Sequence, residues 1–253
     1  MRRLPLLALL CMSHVSASGL DELRSALAAL RGDGSVRGNL EVKTERSTSG
    51  PDSKFKLVSR AVAKVEHDPD SLRVEWDRSV LARADEEARM VNGRAEGQAA
   101  ETAIEAASAA RIARSLNFAP QLLHELKDAT LQSELAATIQ GKPARALELV
   151  LPTPGTSPAY EKRREVFHRM MVWIDDSGVP VVLLEGEHLK LNNEDGTLLF
   201  EDLRKRMCAF GVVGNRLVLL NDDEEDMHKS GGKSGGSEFE YAMHNNFTFG
   251  PER

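Results

Sequence analysis

Cysteine is almost missing from this sequence: its 253 residues carry two, Cys11 and Cys208. If the first leaves with an N-terminal leader, no internal disulfide can form, and stability rests on core burial. A basic stripe is missing as well. Asp and Glu number 39 against 33 Lys and Arg, a formal charge of −6, which argues against a nucleic-acid partner. Beyond Met12 no apolar run approaches the roughly 20 residues a spanning helix needs, because charge interrupts each one. No transmembrane segment is expected.

The start has the order of a secretory leader. Arg2 and Arg3 precede an apolar run from Leu4 to Met12, and the polar stretch from Ser13 to Ser18 contains Val15-Ser16-Ala17, a small-residue cleavage site. Cleavage near Ala17 makes residues 1–18 a signal and residues 19–253 one exported domain, periplasmic or secreted. Lipidation at Cys11 is the alternative, and it would place bulky Leu10 at the cut. Loss of Arg2 and Arg3 takes the charge from −6 to −8.

Leu20, Leu23, Leu27 and Leu30 then share one face at helical spacing. The period changes to two from Val36 to Thr44, again from Phe55 to Val65, and in Leu72-Arg73-Val74-Glu75-Trp76, which predicts a three-strand meander. Residues 79–128 are rich in Ala, Glu and Arg and form a helical insert by propensity. Its small-residue stripe, Ala100, Ala103, Ala107 and Ala110, buries little area, whereas Leu122, Leu123 and Leu126 give a stronger face after Pro120. Strands return at Thr130–Gln140, Arg145–Leu151, Val166–Ile174, Val179–Leu191, Leu203–Val213, Arg216–Leu220 and Phe239–Phe249. The predicted class is α+β, predominantly β: a curved antiparallel sheet of about ten strands, an unclosed half-barrel, with helices covering the concave face.

Motifs that would carry catalysis fail on context. Gly232-Lys233-Ser234-Gly235-Gly236 has the form of a nucleophile elbow, yet it sits in a Gly/Ser linker composition between strands instead of leading from a strand into a helix. His124-Glu125 opens like a zinc-protease helix, but Asp128 stands where the second histidine belongs. Asp222 to Asp226 lacks the spaced ligands of a calcium loop and reads as a solvated acidic turn. Cys208, flanked by Ala209 and Phe210, reads as a buried, inert thiol. No catalytic residue, metal site or cofactor is expected, and the chain reads as non-enzymatic.

The apolar pattern is what remains. A concave sheet face must be filled by helices or by a ligand, and an alanine-rich insert leaves room for an apolar trough. The residues expected to line it are Phe55, Leu72, Val74, Trp76, Leu122, Leu123, Phe167 and Trp173.

The order of elements, with Val65-Glu66-His67-Asp68-Pro69-Asp70 running into the strand of Trp76, resembles the outer-membrane lipoprotein carriers of the LolA/LolB/RseB-like superfamily. Phe118-Ala119-Pro120-Gln121-Leu122-Leu123 is similar to the entry of that family's lid helix, and Val172 to Pro180 to its later hairpin. The resemblance implies a half-barrel plugged by helices, a cavity for a lipid or an acylated lipoprotein, and an envelope protein as a partner in the sensor branch. One position departs from it: Asp68 stands where the carriers have an arginine before the turn proline.

Overall fold

The computed structural model describes residues 18–30, 32, 34–49, 54–89, 99–153, 163–231 and 236–249. The expected leader at residues 1–17 and the serine motif at residues 232–235 lie outside the described residues, as does the side chain of Phe55.

Ten strands and five helices are described. Helix α1 (Gly19–Ala29) leads into β1 (Val36–Ser49), β2 (Lys54–Asp68) and β3 (Ser71–Trp76). Four helices follow: α2 (Arg78–Arg89), α3 (Ala99–Ala106), α4 (Ala109–Ser115) and α5 (Ala119–Glu125). The chain then runs through β4 (Thr130–Ile139), β5 (Lys142–Val150), β6 (Arg164–Ile174), β7 (Pro180–Asn192), β8 (Leu198–Val213), β9 (Arg216–Ser230) and β10 (Ser237–Phe249).

The strands form one antiparallel sheet in the order β3-β2-β1-β10-β9-β8-β7-β6-β5-β4. Every pairing joins sequence neighbours except β1 with β10, where Gly38 faces Phe249 and Ser49 faces Glu238. Strands β3 and β4 are the unpaired edges, so the sheet does not close. The helical segment is the link between those two edges. Leu72, Val74 and Trp76 from one edge and Leu131 from the other pack against a single core cluster. A flat sheet ten strands wide could not bring both margins to one core, so the sheet is bent around its helices.

That core explains why the helices hold. Leu20, Leu23 and Leu27 of α1, Ile112 of α4, Phe118 just before α5 and Leu122 within it are buried with Leu147, Leu149, Met170, Val172 and Leu183 from the sheet. Ser18 caps α1 by accepting from Asp21 N at 3.3 Å. A Cβ at Gly19 would sit 2.6 Å from Leu147 Cδ2, so the first helical turn lies directly on β5. Arg24 Nη2 donates to Leu126 O at 2.7 Å and Ala129 O at 3.3 Å, satisfying carbonyls at the end of α5. The alanine stripe of α3 does what its small side chains permit, burying Ala100 and Ala103 against Ala61 and Val80 in a separate minor cluster.

Turns follow their residues. Gln140-Gly141 and Gly214-Asn215 both have positive φ at their two central positions, as two-residue hairpins with a matching twist require. One irregularity decides which side chains of β9 face inward. The β8–β9 register shifts between Ala209 and Phe210, so Phe210 faces Leu219 while Ala209 faces Asn221. Leu217 and Leu219 point into the core before this bulge; after it Asp222, not Asn221, is the fully buried residue.

Candidate functional site

Most of the residues expected to line an apolar trough lie in or against the core, and two lie on the opposite face of the sheet. Leu122 is fully buried in the core, and Leu72, Val74, Trp76 and Leu123 pack against that core. Phe167 and Trp173 alternate with inward-facing His168, Met170 and Val172, so they lie on the convex face, where Phe167 is 44% exposed. Phe55 stands opposite Thr48 in the β1–β2 ladder.

A different site forms under α4 and α5. A partly open cavity of about 400 Å³ is lined by Arg111, Arg114 and Ser115 from α4, Phe118, Gln121 and Glu125 at α5, and four strands. The strands contribute His168 from β6, Glu185 and Glu187 from β7, Arg204 and Arg206 from β8, and Glu224 from β9. Period-two alternation places these side chains on the concave face, continuing the rows that begin with buried Val172, Leu183 and Cys208. Apolar at the end plugged by α1 and α5, the half-barrel becomes charged along the same strands.

The charges are laid out as rungs. Across β7, β8 and β9, Glu185, Arg206 and Glu224 are directly opposite one another, and so are Glu187, Arg204 and Asp226. Arg206 Nε donates to Asp222 Oδ1 at 2.8 Å and its guanidinium lies 5.1 Å from the centroid of the Phe118 ring. Arg204 Nε donates to Asp226 Oδ1 at 2.9 Å. Arg111 descends from α4 to Glu224, and its Nη2 is 3.9 Å from Asp222 Oδ2. His168 Nε2 meets Glu185 Oε1 at 2.8 Å. The three inner arginines are therefore committed to carboxylates of the fold.

Some groups are not committed. Glu125 Oε1 accepts from Gln121 Nε2 at 2.7 Å, but Glu125 Oε2 is buried with no hydrogen-bond partner. His168 Nδ1 is buried and unpartnered as well. Burial pushes the Glu125 carboxyl above its ordinary range; the charge of Glu185 adds to this, while the Gln121 hydrogen bond and Arg206 oppose it. The acidic run that sequence reasoning read as a solvated turn is thus a strand, and Asp222 has no exposed side-chain surface. The signal was nonetheless present. Glu185 and Glu187, Arg204 and Arg206, and Asp222, Glu224 and Asp226 each alternate with period two, in complementary sign on neighbouring strands.

Among the described residues, no group of three or more His, Cys, Asp or Glu side chains is arranged to hold a metal ion. Nor is any described helix long and apolar enough to cross a membrane.

No family model matches the chain, and no curated protein matches it. Among solved structures it is similar to a DUF1329 family protein from Desulfovibrio piger, at 9% identity over 93% of each chain and a TM-score of 0.27. It is also similar to MucB, solved in complex with MucA(peri), at 11% identity over 90% of this chain and 94% of that one, with a TM-score of 0.22. Likeness this loose assigns no function.

Proposed function

We propose that this is an exported, non-enzymatic binding protein that holds a polar, charge-bearing ligand in the concave cavity beneath α4 and α5. The observation that carries the reading is the cavity itself. It is about 400 Å³ in volume, lined on one side by α4 and α5 and on the other by four strands, and most of the side chains that line it are charged. Convergent polar groups in a concave site fix a ligand's orientation, and a lining this charged suits a polar one. A lipid or acyl chain, as the resemblance to lipoprotein carriers implies, would need apolar walls. Leu72, Val74, Trp76, Leu122 and Leu123, expected to form such walls, are packed in or against the helix–sheet core instead.

Native mass spectrometry of the protein purified from its own host tests this. A small polar mass should be released from the wild type and be missing from Gln121→Trp, which fills the cavity from α5. Release of a lipid by both proteins would favour the acyl-carrier reading.

A second reading, an interaction module for an envelope protein on the same scaffold, is supported by the convex face. There Met171, Leu184 and Met207 stand side by side across β6, β7 and β8, with Leu184 46% and Met207 47% exposed. Large apolar side chains grouped on an open sheet face are a common mark of protein docking. Crosslinking from Leu184 in intact cells should capture one dominant partner if that face is used.

A further inference from the structure

We propose that the protein forms a symmetric dimer in which the open edge of β4 pairs with the same edge of a second copy, antiparallel about Ala136. The inference goes beyond the binding reading and does not depend on the cavity.

Strand β4 ends the sheet, with no strand on its outer side among the described residues. The direction of its backbone groups follows from the turn that leaves it. Gln140-Gly141 is a two-residue hairpin with positive φ at both positions, joining the paired residues Ile139 and Lys142. In such a hairpin the flanking residues exchange both hydrogen bonds. Alternation gives Ala137 and Leu135 the same role toward β5, and it turns the N–H and C=O of Thr138, Ala136 and Glu134 outward. Pro143 agrees with that phase, because it faces Thr138 and has no N–H to give.

Open edges are ordinarily blunted by shortness, lysine, proline or a bulge. The other edge, β3, is six residues long and carries Arg73 and Glu75. Strand β4 has a bulge between Leu131 and Ser133, but its pairing is regular from 133 to 139, a stretch without lysine or proline. Ala136 and Thr138 are exposed, and Leu135 is 63% exposed. The one charge, Glu134, is already answered by Arg145 Nη1 at 3.0 Å and Gly19 N at 3.1 Å.

The symmetry of this stretch points to a second copy as its occupant. With a two-fold axis at Ala136, Glu134 lies opposite Thr138 of the second copy, and Ala136 lies opposite its own counterpart. All three outward residues then find partners, each pair exchanging both hydrogen bonds, and no like charges meet. Other axes do worse. At Glu134 carboxylate would face carboxylate, and at Thr138 the pairing would run into the turn. An axis at Leu135 or Ala137 loses one pair, to the bulge or to the turn. Leu135 also continues an apolar row through Ala146, Trp173 and Val182 on the convex face, so pairing at the edge joins two such rows.

The test is sedimentation of the purified protein over a concentration series, beside Ala136→Pro and Ala136→Lys. Expected is a concentration-dependent dimer in the wild type, weakened about tenfold or more in both variants. Proline at 136 removes an N–H that the β4–β5 ladder does not use, and lysine there would face lysine across the axis. With an added oxidant, Ala136→Cys should form a disulfide between copies, since directly paired Cα atoms lie about 5.5 Å apart. Thr138→Cys should not, and Cys208 is buried and does not compete. A wild type that stays monomeric throughout, or a dimer unchanged in both Ala136→Pro and Ala136→Lys, overturns the inference. So does crosslinking that fails to favour position 136 over 138.

Discussion

Arg206 Nε and Asp222 Oδ1 are 2.8 Å apart, and the Asp222 side chain has no exposed surface. The two sit on adjacent strands one inward position out of step: Arg206 is opposite Glu224, and Asp222 is opposite Cys208. The ion pair is thus a diagonal brace at the boundary between the apolar core and the charged cavity. Removing one partner strands the other in a poorly solvated place. Asp222→Asn should lower unfolding free energy by about 3–5 kcal/mol. Chemical denaturation of Asp222→Asn, Arg206→Met and the double variant measures it, and the double variant should lose less than the two single losses combined.

Cys208 lies beside that brace, fully buried, with Sγ 3.5 Å from Asp222 Oδ1. Burial, the largest influence, pushes its thiol well above the ordinary range, and the neighbouring Asp222 carboxylate works in the same direction. The thiolate is the reactive form, so the native protein should not react with an aromatic disulfide reagent on a timescale of minutes. One equivalent should react once denaturant unfolds the sheet.

Arg216 opens β9 almost wholly buried, and its Nη1 donates to His67 Nδ1 at 2.7 Å. The pairing requires a neutral imidazole. Burial first, and Arg216 second, hold the His67 pKa below its ordinary value. The unfolded chain therefore takes up this proton more readily than the folded one. The contribution is present in full above the ordinary imidazole range and is lost as pH falls through it toward the lowered value. Between about pH 7.5 and about pH 5.5 the melting temperature should fall, and His67→Gln should flatten that slope.

Leu27 of α1 is fully buried in the main core. Leu27→Ala should cost about 2–5 kcal/mol, read from the same denaturation experiment. The far half of the barrel is tied through the strand ladders, so the variant should keep its strand signal in circular dichroism.

Much of this fold was legible from periodicity. The leucines at 20, 23, 27 and 30 and the alternation through β1, β2 and β3 led to the elements found. The concave rows were harder, because three things hide them. The bulge near Ala209 reverses the parity of β9, so a pattern extended from Leu217 and Leu219 selects the wrong members of the acidic run. Strand ends beyond the core carry charges on both faces, so Glu185 and Glu187 look like surface residues until the arginines of β8 are known to face them. The choice among apolar residues at Leu72, Val74, Trp76, Leu122 and Leu123 followed hydrophobicity, which marks the packed core as readily as a ligand trough.

If the space beneath α4 and α5 is a binding site, filling it should abolish ligand-induced stabilisation. The most direct measurement is a thermal-shift comparison of wild type with Gln121→Trp against small polar molecules of either charge. A ligand at about 100 times its Kd should raise the wild-type melting temperature by roughly 5 °C and leave Gln121→Trp unmoved. Equal shifts in both proteins, or none in the wild type, would contradict the account.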